Sequence, residues 1–250
     1  DVPEFRSKFL ELYYGRYLRP LKDYFIGGLE FMVPALARVP WLYNAMIKPK
    51  FMQRFMARFI GMVDSPKLSG VLLDKATAKM GIRYASLENI AQLSDEQKER
   101  AVIVVQDAFT SYFETSFVLD SLTLLQKLGF IPLIAPFKPN GKPLQVHGFL
   151  RAFSKTADRN AMLLNGLASS GIPLIGLEPA MTLTYRAEYK KVLGAQAPKV
   201  QLIQEFLASQ KTRLEEHKAL FGKGEFSLLA HCTEKTNAVA SIKDWQTVFA

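Results

Sequence analysis

The side chains of this 250-residue chain best suited to chemistry are one cysteine, Cys232, and three histidines, His147, His217 and His231. Cys232 stands in "LLAHCTEKTN", directly after His231. A thiol beside an imidazole is one pattern of an activated nucleophile. Adjacent residues at the end of an extended segment point to opposite faces, however, so this pair is not expected to hydrogen-bond. On its own residues Cys232 reads as an inert, partly buried thiol, since cysteines are among the most buried side chains. A zinc or iron–sulfur site needs about four soft or imidazole ligands. No two candidates here have ligand spacing, so a complete metal site within these residues is not expected. Neither GxGxxG nor GxxxxGK[ST] occurs, which leaves no phosphate cradle. Asp107 and Glu178 could face each other as paired carboxylates across a sheet edge; the simpler reading is that each caps a helix.

Those residues need elements to position them, and the chain has two regimes. From Pro3 to about Leu93 apolar residues recur every three or four positions, as in Phe9, Leu10, Tyr13, Tyr14, Tyr17, Leu18 and Leu21. This is helical periodicity, and Pro20, Gly27, Gly28, Pro34, Pro40 and Pro49 punctuate it. Ser94, three residues before Gln97, has the spacing of a capping box. From Ala101 the pattern changes. "AVIVV" is a β-branched run of buried-strand length. "FIPLIAPF" and "GIPLIGL" read as the second and third strands, and "EFSLLAH" (225–231) as the fourth. Helices are expected over 116–128, 147–169, 180–193, 201–220 and 240–250, with Gly129 and Gly194 as stops. Strands alternating with helices predict an α/β fold: a helical N-terminal arm, then an open, mostly parallel sheet of about four strands. All strand C-termini then share one edge, where sites form. That edge would gather Asp107, Lys138, Glu178, Met181 and Cys232. A faint repeat aligns "IVVQDAFTSYFE" with "SLLAHCTEKTNA" and sets Ala108 opposite Cys232. The expected domains are a helical arm at 1–100, a first α/β repeat at 101–225 and the start of a second, truncated repeat at 226–250.

Composition bounds the rest. At 49% hydrophobic and 22% charged the chain is globular. A single cysteine excludes an internal disulfide framework, so a reducing compartment is expected. No signal peptide is read at the N-terminus. The chain begins on Asp1 instead of a methionine and reads as an excised segment. The net charge of +9 favours acidic partners, but no nucleic-acid-binding motif is present. The longest apolar stretch, 25–47, contains Glu30, Arg38, Pro34 and Pro40, which argues against a transmembrane span.

At "GIPLIGLEPAMTLTYRAEY" and "LLAHCTEKTN" the chain resembles the cysteine-rich, CCG-type domains of iron–sulfur oxidoreductases. Each repeat of that family has a cysteine at a strand exit, a Cys-Cys-Gly turn, and a later motif close to G-[ILV]-[DE]-P-[SA]-C-x-L-x-x-R-x-E-Y. Here Ala108 stands in the first cysteine's place, "APFKPNG" replaces the turn, and Met181 stands in the last cysteine's place. The nearest resemblance is to the bacterial flavoproteins of the D-2-hydroxyglutarate and D-lactate dehydrogenase type. It implies FAD and iron–sulfur clusters in an intact protein, with none expected in these residues alone. It implies a scaffolding role in electron transfer, inactive in isolation, and Cys232 as a cluster ligand of a second repeat. The implied partners are upstream FAD and ferredoxin-like domains, the downstream remainder of the second repeat, and a quinone or electron carrier. The implied location is the cytoplasm or the inner-membrane periphery. Two other classes stand beside it: a basic module that binds a partner or a membrane surface without catalysis, and a free-standing thiol enzyme using Cys232.

Overall fold

The computed structural model describes the chain apart from residues 1, 62, 64, 219–223, 226 and 250. The strands are β1 (Ala101–Val105), β2 (Ile131–Ile134), β3 (Leu174–Gly176) and β4 (Gln201–Leu202). All pair in parallel, in the order β2-β1-β3-β4. The chain winds to one side of β1 to make β2, then crosses to the other side to make β3. That reversal opens a crevice at the C-terminal ends of β1 and β3, where doubly wound sheets bind ligands.

β1 is buried along its whole length because both sheet faces are covered. Side chains alternate across a strand, and the two cores follow that alternation. Ala101, Ile103 and Val105 join Phe153, Leu164 and Leu167 of the helix Leu150–Ala168, with Tyr189. Val102 and Val104 join Leu122 and Leu125 of the helix Thr115–Lys127 and Leu128 at its end, with Phe206 of the helix Ile203–Ser209.

Before β1 the described chain is helical in short pieces, and its last helix opens on the expected capping box. Ser94 Oγ accepts from Gln97 N–H, and Gln97 Oε1 accepts from Ser94 N–H. Among the attachments that join these helices to the α/β part, three bear on the sheet edge. Arg19 lies over the Tyr14 and Phe149 rings, 4.5 and 3.9 Å from their centroids, and donates to the His147 and Gly148 carbonyls. Tyr84 forms a parallel bridge with Ile134, beside β2. Glu30 reaches Gly141. Among the described residues no helix is long and apolar enough to cross a membrane.

Four expectations are corrected. The described residues of 225–231 form no strand; Leu229 is 93% exposed. The sheet position beside β3 is held instead by Gln201–Leu202, within a segment expected to be wholly helical. Apolar character alone does not make a strand, which needs a free backbone edge to pair with. The helix expected over 180–193 is two helices, Pro179–Arg186 and Glu188–Leu193, separated at Ala187. The helix expected from His147 begins at Leu150, after a separate turn of helix at Lys142–Val146.

Candidate site at the carboxyl edge of the sheet

Asp107 leaves β1 and caps the helix Ala108–Tyr112. Its Oδ1 accepts from the Phe109 and Thr110 N–H groups at 2.8 and 2.9 Å, and its Oδ2 from Thr110 Oγ1 at 2.5 Å. Glu178 leaves β3 and caps the helix Pro179–Arg186, accepting from Met181 N–H at 2.5 Å. Pro179 takes the first helical position, where a missing N–H costs nothing. Both carboxylates are therefore helix caps, and each sits on one lip of the crevice. Burial is the main cause raising both carboxyls above their ordinary values, and hydrogen bonds to the capping N–H groups oppose it. Asp107→Ala strips the cap and leaves buried N–H groups without an acceptor. It is expected to cost about 1–2 kcal/mol, read as a lower denaturation midpoint; an unchanged midpoint would contradict the capping role.

Between these lips runs the loop after β2. Asn140 Nδ2 donates to the Met181 carbonyl at 3.1 Å. Asn160 Nδ2 donates to the Pro139 carbonyl, and Tyr189 Oη to the Asn140 carbonyl at 2.7 Å. Lys142 Nζ pairs with Glu188. Arg186 spans the Val200 carbonyl and the Glu205 carboxylate, tying the Pro179 helix to the β4 edge. The R-x-E-Y residues of the quoted motif thus hold the loop and the sheet edge; in this structure their work is mechanical.

Glu30 closes the site from the helical arm, on the helix Leu29–Leu36. It is 0% exposed. Its Oε2 accepts from Gly141 N–H at 2.6 Å, and Oε1 has no partner among the described residues, nor has Asn140 Oδ1. Burial pushes its carboxyl up to about 7, against opposition from the Gly141 and Asn140 N–H groups and with support from the Asp107 charge. The sequence reasoning used Glu30 only as an argument against a membrane span. Its signal was a lone acid on the apolar segment 25–47.

The positions that the resemblance assigns to lost ligands are linked in space. The Ala108 helix packs on the Glu30 helix, the 136–142 loop binds Glu30 through Gly141, and Asn140 binds Met181. Ala108 and Met181 are both buried. Protein atoms fill this place.

Cys232 departs from its expected burial: it is exposed. It is the first residue of the helix Cys232–Asn237, behind the capping residue His231. Ala108 likewise opens its helix behind Asp107, so the aligned positions are equivalent at the helix start although, among the described residues, only the first copy has a strand. The Cys232 helix packs on the Pro179 helix. Glu234 anchors it, accepting from His231 N–H at 2.9 Å and from Gln204 Nε2 at 2.6 Å. Contrary to the opposite-face expectation, Cys232 Sγ lies 3.9 Å from His231 Nδ1. That nitrogen already accepts from Thr233 N–H at 3.2 Å, and Nε2 lies 4.0 Å from Glu178 Oε1. The imidazole is engaged as a cap and is not arranged as a base for the thiol, which leaves the thiol-enzyme reading without support. The other expected edge residue, Lys138, is exposed on the loop after β2.

Among the described residues no group of three or more His, Cys, Asp or Glu could hold a metal ion. One thiol and no ligand set do not fit an iron–sulfur cluster held by this chain alone.

No family model matches the chain, and no solved structure matches it. It is similar over its whole length to proteins named D-2-hydroxyglutarate dehydrogenase. Identity is 48% over 251 residues with that of Pseudomonas putida, 42% over 253 with that of Escherichia coli and 39% over 257 with that of Haemophilus influenzae. Each match takes in 100% of this chain and 25% of the relative, so the chain spans about a quarter of the relatives' length.

Proposed function

We propose that these 250 residues are a scaffolding region of a D-2-hydroxy-acid dehydrogenase, acting on D-2-hydroxyglutarate or a D-lactate-like acid. The observation that carries this is identity of 39–48% along the entire chain with proteins of that name. In this reading the substrate alcohol is oxidised to a 2-oxo acid, and its two electrons pass through flavin and iron–sulfur centres to a quinone or electron carrier. Those centres lie mainly outside this chain. The filled first repeat, with Ala108 and Met181 buried and the 136–142 loop held by Tyr189, Glu188 and Glu30, is a rigid seat. Beside it Cys232 presents an open thiol, and we assign it as one ligand of a cluster completed by cysteines elsewhere in the polypeptide. What supports this is its exposure, its helix-start position equivalent to Ala108, and the anchoring of its helix by Glu234.

The test uses the whole polypeptide that carries these residues. Cys232→Ser is expected to lower bound iron by about four atoms, the content of one cubane cluster, with loss of its reduced-state EPR signal while flavin content is kept. Unchanged iron would remove Cys232 from the reading. Failure of both D-2-hydroxyglutarate and D-lactate to reduce the flavin would remove the substrate assignment. The 250-residue chain, reconstituted anaerobically with iron and sulfide, is expected to retain no stoichiometric iron.

A further inference from the structure

Residues 31–63 contain five bases, Arg38, Lys48, Lys50, Arg54 and Arg58, and no acid. Among the described residues none of the five forms an ion pair. Three consecutive helices in this stretch, Pro40–Ile47, Lys50–Phe55 and the π-type turn Met56–Ile60, bury no residue at all. Their exposed side chains are nevertheless large and apolar. Trp41 and Phe51 are each 70% exposed, Phe55 49% and Phe59 63%. The Phe55 and Phe59 rings touch at a tilt of 36°, with centroids 4.8 Å apart.

The pattern along the last two helices is regular. Phe51, Phe55 and Phe59 repeat every four residues, and Lys50, Arg54 and Arg58 each come one residue earlier. Four-residue spacing runs along one helix face, so an aromatic row lies beside a basic row. An exposed apolar patch of this kind marks an interaction surface. A protein–protein interface favours arginine but is depleted of lysine and of charge at its core, whereas here every aromatic of the row has a base, lysine or arginine, next to it, and no acid occurs anywhere in 31–63. Bases flanking aromatics suit the headgroup level of a bilayer, where the rings enter the acyl boundary and the cations reach lipid phosphates. With no helix long enough to cross the bilayer, such a segment lies in its plane.

We propose that the helical segment 40–60 is a peripheral docking surface for an anionic phospholipid bilayer, with Trp41, Phe51, Phe55 and Phe59 inserting and Lys50, Arg54 and Arg58 meeting the phosphates. This stands on the arm alone and is independent of the enzymatic reading.

Co-sedimentation of the whole polypeptide that carries these residues with vesicles tests it, comparing phosphatidylcholine containing about one third phosphatidylglycerol with phosphatidylcholine alone, the anionic charge being what attracts polybasic segments. Partitioning onto the anionic vesicles is expected to be at least about tenfold stronger at low salt and to be lost at about 0.5 M salt, where the screening length falls to a few ångströms. Two triple variants, Phe51→Ser/Phe55→Ser/Phe59→Ser and Lys50→Glu/Arg54→Glu/Arg58→Glu, should each abolish it with the helical circular dichroism unchanged. A charge-matched control, Lys138→Glu/Lys155→Glu/Lys190→Glu, should bind as the parent does. Absence of binding to anionic vesicles at low salt overturns the proposal and leaves the face to a protein partner. Equal binding to neutral vesicles, survival of binding in either triple variant, or equal loss in the control overturns it as well.

Discussion

Replacing Glu30 by glutamine is expected to stabilise the protein at alkaline pH and to leave it unchanged in mild acid. Glu30 is wholly buried, its Oε1 has no hydrogen-bond partner among the described residues, and Asp107 repels its charge. The unfolded chain releases this proton near the ordinary value of 4.5, while the fold holds it to about 7. Between those values the native state binds more protons than the unfolded state. Unfolding therefore becomes easier as pH rises, at about 1.4 kcal/mol per pH unit. The penalty is absent below pH 4.5, grows through the window and levels off above about 7, at roughly 3 kcal/mol. The amide keeps an acceptor for Gly141 N–H and carries no charge. It also brings N–H donors to a pocket that has unpartnered acceptors. Glu30→Gln should match the parent within ~0.5 kcal/mol at pH 4 and exceed it by roughly 2–3 kcal/mol at pH 8. Asp107 and Glu178, also raised by burial, add slopes of the same sign, so the difference between the two curves reports Glu30 together with its coupling to Asp107. Urea unfolding across that range is the measurement. Parallel stability curves would show that Glu30 is ionised in the native state.

The second large effect is steric. Gly176 ends β3, between Val105 and Leu202 of its neighbours. A methyl group there would run into Thr182 Oγ1 and lie 3.0 Å from Thr182 Cβ. Thr182 is not free to move. It is buried in the Pro179 helix, and its hydroxyl donates to the Glu178 carbonyl at 2.7 Å. Gly176 has no positive φ, so the conflict is one of space and not of backbone conformation. Overpacking of this kind costs about 1–3 kcal/mol, and this rigid contact belongs at the upper end. Gly176→Ala is expected to lower Tm by about 6–12 °C. Relief would come by pushing the Pro179 helix outward, loosening the Asn140–Met181 bond and the seat of the Cys232 helix. Thr182→Ala removes the hydroxyl but not the Cβ contact. Gly176→Ala should therefore cost about half as much in the Thr182→Ala background, a coupling that a double-mutant cycle reads. Equal costs in both backgrounds would overturn the steric account.

Much of the frame was legible in the residues, for local physical reasons. β1 is five β-branched or small apolar residues, and a strand buried on both faces has that composition. Ser94 and Gln97 satisfy each other's backbone across one helical turn, and Gly129 takes the left-handed conformation, φ 76°, that ends a helix. Asp107 and Glu178 cap the helices behind their strands. The alignment of Ala108 with Cys232 also needed only local pattern, because both open helices behind a capping side chain.

What the sequence could not reveal depended on competition between distant segments. Residues 225–231 are apolar enough for a strand, yet the position beside β3 belongs to Gln201–Leu202, and only the arrangement of the whole sheet decides which backbone meets that edge. Cys232 had the composition of a buried thiol, but its helix turns Glu234 inward to Gln204 and leaves the sulfur outside. Glu30 lies 111 residues from Gly141, the backbone group it binds, and no local spacing announces such a pair. Composition and periodicity determined by themselves that this would be a helical arm leading into a parallel α/β sheet, because burial and capping act within a few residues. The tertiary structure alone decided which buried polar groups found partners, which edge was paired and which thiol was left open, because each depends on segments brought together only when the two cores close on the sheet.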